Sequence, residues 1–113
     1  LQKENRLKKR EDFKKVYTYG KSVANRELVL YILDNSKTER YRVGISVSKK
    51  IGNAVVRNRV KRLIKEAFRS LANQLEMENQ KDLIIIARNP TADMKFSQFQ
   101  KSIKDLLRKS KLI

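Results

Sequence analysis

Between Asn53 and Leu75, apolar residues recur at Val56, Val60, Leu63, Ile64, Ala67, Phe68, Leu71 and Leu75, the spacing of one face of a helix. A stripe of that length must be buried, so the rest of the 113-residue chain has to supply a surface that covers it. Asn53 is placed to cap this helix, since its side chain can accept from a free backbone N–H of the first turn. The arc opposite the stripe holds Asn58, Lys61, Arg62, Lys65 and Arg69. One element therefore joins the hydrophobic core to a ridge of positive charge.

The segments around it read as short strands and two further helices. Residues 11–19 form a predicted helix with Glu11 and Asp12 in its first turn, where the helix dipole favours acids. Phe13, Val16 and Tyr17 share one of its faces, and Gly20 stands where a left-handed C-cap would fall. Residues 28–33 are a dense apolar strand, followed by the turn chemistry of Asp34-Asn35-Ser36. In the next strand Tyr41, Val43, Ile45 and Val47 alternate with Arg42, Gly44, Ser46 and Ser48. The second set is small and polar and leaves room for a ligand against the sheet. Residues 83–87 are apolar without alternation, as a strand covered on both faces would be, and Pro90 ends it. A last helix over 96–109 puts Phe96, Phe99, Ile103, Leu106 and Leu107 on one side. With one more short strand near 22–27, the order is α-β-β-(β)-α-β-α. The expectation is an α+β fold: one domain over 1–113, a two-layer sandwich of a small sheet packed by helices.

Charge narrows the function. Lys and Arg total 28 against 12 acids, a net charge of +16. Such a surplus repels itself and calls for a polyanionic partner, with nucleic acid ahead of an anionic membrane surface. Residues 1–26 hold nine basic and three acidic groups, and residues 49–69 hold eight basic and one acidic. Two separated basic segments suggest two contact surfaces. A solvated helix normally intersperses both signs; here the cations of 49–69 face Glu66 alone. Lys49 and Lys50 lead into the helix start, where free N–H groups favour an anion. Arginines can grip phosphates bidentately, as a structured RNA backbone requires. If about six phosphates are neutralised, log K should fall with log salt at a slope of about −4 to −5.

There is no cysteine and no histidine, so thiolate zinc sites, thiol nucleophiles and the commonest general base are all missing. Asp12, Asp34, Asp82, Asp93 and Asp105 fall in different predicted elements and form no metal motif. The chain carries neither a secretory leader pattern nor an apolar run long enough to span a bilayer, and reads as a soluble intracellular protein lacking a few residues before Leu1. Phe13 and Tyr17 fit ordinary core packing at helical spacing as well as a stacking surface, and Tyr31 is equally open to both readings.

The run from Arg42 to Arg62, RVGISVSKKIGNAVVRNRVKR, resembles the signature of the bacterial ribonuclease P protein family, with Arg57, Asn58, Arg59, Lys61 and Arg62 as its heart. Asn5-Arg6-Leu7-Lys8-Lys9, Asp12-Phe13, Gly20, Ser22-Val23-Ala24-Asn25-Arg26 and Ile85-Ile86-Ala87-Arg88 also resemble the family, so the likeness covers nearly the whole chain. The resemblance implies a left-handed βαβ crossover, an exception to the usual rule. It implies a protein subunit of a ribonucleoprotein endonuclease in tRNA processing, whose RNA subunit is the catalyst and holds the magnesium ions. No catalytic residue, metal or cofactor is then expected in the protein. Its partners would be the catalytic RNA and precursor tRNA in the bacterial cytoplasm, with no membrane and no obligate protein partner. Contact with the catalytic RNA is expected of Lys49, Lys50, Asn53, Arg57, Asn58, Arg59, Lys61, Arg62 and Lys65. A cleft between the first helix and the sheet would hold the 5′ leader through Phe13, Lys14, Tyr17, Ser22, Val23, Asn25 and Tyr31. Aromatic faces suit that task because they stack on any base. Binding the leader and offsetting repulsion between two RNAs should lower the magnesium requirement. Tyr17 stands where many relatives have phenylalanine, and Leu28 where some have an aromatic. The rivals are a general RNA chaperone, which should not distinguish precursor from mature tRNA, and a free-standing nuclease, against which the absence of histidine argues. A membrane-surface role is disfavoured because the basic helix backs onto a core.

Overall fold

In the computed structural model, which describes residues 6–38, 40–75 and 80–113, the order is α1 (Arg10–Tyr19), β1 (Lys21–Ala24), β2 (Leu28–Asp34), β3 (Arg42–Ser46), α2 (Ala54–Leu71), β4 (Lys81–Ala87) and α3 (Phe96–Lys109). Asn5, one of the residues that carry the family resemblance, lies outside the described residues. Short 3₁₀ turns follow α2 at Ala72–Gln74 and β4 at Asn89–Asp93, the second with Pro90 in its first turn. The extra strand expected near 22–27 is β1, one residue earlier and shorter.

The sheet runs β1-β2-β4-β3, with β1/β2 and β2/β4 antiparallel and β3/β4 parallel. The parallel pair follows from α2, because parallel neighbours need a long crossover and the helix provides it. Val60, Ile64, Ala67, Phe68 and Leu71 of α2 pack with Phe99, Ile103, Leu106 and Leu107 of α3 onto Leu28, Leu30, Val43, Leu83, Ile85 and Ala87. This is the sandwich of sheet and helices. It is supplemented on the opposite face by α1, where Leu7 and Val16 meet Ile84, with Phe13, Tyr31, Leu33 and Ile86 partly buried around them. Strand β4 is thus covered on both sides, as its unbroken apolar run demands.

Asn53 accepts from the Val56 N–H at 3.0 Å and starts α2. Gly20 does not adopt the left-handed conformation expected of it; its φ of −77° and ψ of 163° are extended. Glycine is needed there for a different reason. A Cβ would sit 2.8 Å from the Ile32 carbonyl oxygen and 2.5 Å from that of Val16, which accepts the Gly20 N–H at 2.8 Å. Close approach of two backbones, not a positive φ, ends α1. Asn53→Ala should lower the stability of the isolated protein by about 1 kcal/mol in urea denaturation, and Asn53→Ser should retain most of it.

Candidate nucleic-acid interface

Strand register decides what the α1 face presents. Ser22, Tyr31, Ile84 and Gly44 pair across the sheet in one row. Ala24, Val29, Ile86 and Ser46 form the next row towards one end, and Leu33, Asp82 and Arg42 the row towards the other. Phe13 lies on Gly44, whose missing side chain leaves the space for its ring. The space expected there for a ligand is therefore occupied by the protein itself. Tyr17 meets Tyr31 edge to face, with centroids 5.1 Å apart and planes at 83°, and Phe13 stands 6.3 Å from Tyr17 at 64°. Tyr17 is 41% exposed, with Ser46 near its hydroxyl. Burial pushes the Tyr17 phenol up from its ordinary value, so it is neutral at physiological pH. The row holding Ala24, Val29, Ile86 and Ser46 continues past the rings with exposed or partly exposed side chains. It forms an apolar and hydroxyl-lined floor with the rings at one side, and Arg10 and Lys14 are exposed on α1 beside Phe13 and Tyr17.

The residues expected in the cleft divide. Phe13, Lys14, Tyr17, Ser22 and Tyr31 belong to the α1 face. Val23 pairs with Leu30 and packs against the large core on the other face. Asn25 is tied into a knot with α3: its Nδ2 donates to the Ser102 carbonyl at 3.0 Å and to Asp105 at 3.1 Å, and its Oδ1 accepts from Leu28 N at 2.9 Å. That amide ties the β1–β2 turn to α3. Its hydrogen bond holds the Asp105 carboxyl below the usual carboxylate value, with Lys109 and Arg108 adding to the effect.

The basic residues form a second surface behind the sheet. Helical periodicity brings Asn58, Arg62, Lys65 and Arg69 to the crest of α2, with Lys61 on its flank. Asn58, Arg62 and Arg69 are exposed, and Lys61 and Lys65 partly so. Lys49 and Lys50 are exposed in the turn just past β3. Two arginines of the motif also work inside the molecule. Arg59 donates to the Met94 carbonyl at 2.8 Å, and Arg57 Nε to the Gly52 carbonyl at 3.2 Å. Arg59 thus braces α2 against the turn before α3.

Sequence reading missed a charged cluster. Asp12 and Asp82, far apart in sequence, converge on Arg42. The buried Asp82 carboxylate receives Arg42 Nε and Nη2 at 2.9 Å each and Asn35 Nδ2 at 2.9 Å. Arg42 Nη1 reaches Asp12 at 3.4 Å. These hydrogen bonds, Asp82's first, push the Arg42 pKa up and keep it charged. Only the pairing of β3 with β4 could have revealed this, since Arg42 and Asp82 are neighbours through that register. Among the described residues no three acidic side chains gather as metal ligands, and no helix is long and apolar enough to cross a membrane.

The chain is similar to known proteins in sequence and in fold. A family model described as Ribonuclease P matches residues 1–111. The chain is 56% identical to the ribonuclease P protein component of Bacillus velezensis over 112 residues, covering 99% of this chain and 94% of that protein. It is 46% identical to that of Listeria innocua, covering 100% and 93%. The solved structure of the Staphylococcus aureus RNase P protein superposes with a TM-score of 0.86 at 44% identity, covering 96% of both chains. That of Thermotoga maritima gives 0.80 at 29% identity, covering 92% of this chain and 96% of the other.

Gly44→Ala should displace the Phe13 ring and destabilise the fold by about 1–3 kcal/mol, because the added methyl competes for space already filled. Thermal and urea unfolding of the variant against the unmodified protein check this, and Phe13→Leu in the same background should recover part of the loss.

Proposed function

Since the chain belongs to the ribonuclease P protein family, and is the protein subunit of the endoribonuclease that matures tRNA 5′ ends in partnership with ribonuclease P RNA, we propose that its two surfaces hold two different RNAs. The crest of α2, with Asn58, Arg62 and Lys65, flanked by Lys61 and led by Lys49, Lys50 and Asn53, contacts the catalytic RNA. Arg57 and Arg59 shape that helix as well as adding to its charge. The groove on the α1 face receives the single-stranded 5′ leader of precursor tRNA through Tyr17, Tyr31 and Phe13, with Lys14 and Ser22 beside them. Val23 and Asn25 support the groove from behind.

The observation that carries this reading is the exposed Tyr17 ring beside Tyr31, next to a row of Ser46, Ile86, Val29 and Ala24, on the side of the sheet opposite α2. Stacking on a ring face makes little sequence demand, which suits a subunit that serves many leaders. A layer of sheet lies between the two surfaces, which supports a reading in which one small protein sits between two polyanions and offsets their repulsion. That action lowers the magnesium needed by the RNA subunit, which performs the cleavage, and it takes place in the bacterial cytoplasm. The protein supplies binding and screening, and no side chain of its own reacts.

Cleavage of precursor tRNA at low magnesium by a bacterial ribonuclease P RNA, with and without this protein, tests the proposal. The protein should raise cleavage strongly for a leader of about eight nucleotides and little for a leader trimmed to one nucleotide. Equal stimulation of both would leave a general RNA-binding role instead. Tyr17→Ala should weaken binding of the long-leader substrate by about 5- to 150-fold, the range expected for one stacked base, while Tyr17→Phe keeps it. Arg62→Ala should reduce the magnitude of the salt slope for binding the catalytic RNA by about 1, read from affinities over a salt series.

A further inference from the structure

The first turn of α1 is clasped to the sheet by a contact that neither RNA surface uses. Arg42 opens β3 on the α1 face, and two of its donors are held by Asp82 of β4 at 2.9 Å each. Asp82 is 2% exposed and is closed by Asn35, so this pair is a rigid part of the sheet. The third donor reaches out to Asp12 of α1. Phe13, the next residue, lies on Gly44, two positions along β3 from Arg42. Neighbouring residues of the helix therefore engage alternate residues of one strand, one by charge and one by its ring. Tyr17 follows one turn later against Tyr31. At ten residues, with no side-chain cap at Lys9, α1 is too short to hold a fixed shape alone. Its rotation and its offset along β3 are set by what it touches.

We infer that Asp12, clasped by Arg42, is a positioning residue for leader binding: it fixes the rotation of α1 on the sheet and so the placement of Tyr17 against Tyr31. This inference rests on the leader-groove reading. The clasp is separable from the core beneath it. Asp12 and Arg42 are 21% and 23% exposed, and removing Asp12 leaves Arg42 still paired with Asp82. Removing Arg42 instead would strand a buried carboxylate and endanger the fold.

Holoenzyme reconstituted with D12A, D12E or Y17A is assayed on precursor tRNA carrying a long or a single-nucleotide leader, with KM and kcat resolved. D12A is expected to raise KM for the long leader about 2- to 5-fold, the scale of a partly exposed ion pair. It should leave kcat and the short-leader KM unchanged. D12E, which restores the charge, should recover the long-leader KM, an outcome that a general loss of structure would not give. Three results overturn the inference. D12A keeps the full long-leader advantage while Y17A loses it; D12A impairs both substrates alike; or D12E fails to rescue although it melts at the temperature of the unmodified protein. If Y17A also keeps the full advantage, the leader groove itself is wrong and the clasp falls with it.

Discussion

Leu83, Ile85 and Ala87 pack beneath α2 and α3 while Ile84 packs beneath α1, with Ile86 partly buried beside it, so β4 needs helices on both faces of the sheet. All seven of its residues pair with β2, and Asp82–Ile86 pair with β3 on the other side. The parallel pairing with β3 uses the α2 crossover, which presses the apolar stripe of α2 onto the same strand. Covering the opposite face then falls to α1, which brings Phe13 and Tyr17 to the sheet. The aromatic groove is in this sense a by-product of burying a central strand.

The same layering separates the charges. With a net charge of +16, the folded chain carries a large self-repulsion that is relieved when polyanions bind. The crest of α2 and the α1 groove lie on opposite sides of the sheet, so the cations of one are kept apart from those of the other. Some of the positive charge is also used within the fold. Arg59 grips carbonyls next to α3, and Arg42 satisfies a buried carboxylate. A buried ion pair of that kind is weak evidence for stability but strong evidence for a fixed geometry, since losing one partner leaves the other stranded.

Much of the fold could be read from the chain. The period of α2, its Asn53 cap, the span of α3 and the two-sided burial of β4 all follow from residue spacing, and each corresponds to a formed element. Gly20 was read for the wrong reason. Its position at the end of α1 was clear, but the close approach of the Ile32 carbonyl depends on a strand that lies beside it only in the folded state. The site was less legible. Alternation along β3 showed that Gly44 and Ser46 share a face, and could not show that Phe13 fills the space over Gly44. Val23 and Asn25 stand next to Ser22 in sequence, yet strand alternation turns Val23 to the other face and the β1–β2 turn carries Asn25 towards α3.

Local order was decided by sequence alone, because it depends on periodicity, caps and charge: a basic amphipathic helix, short apolar strands, a chain without histidine or cysteine, and a surplus of cations suited to RNA. Tertiary structure decided which distant residues became partners. Arg42 found Asp82 and Asp12, Tyr17 found Tyr31, and Asn25 found Asp105 only through strand register and helix docking. Those pairings are non-local, and no pattern along the chain encodes the register that brings them within hydrogen-bonding or stacking distance.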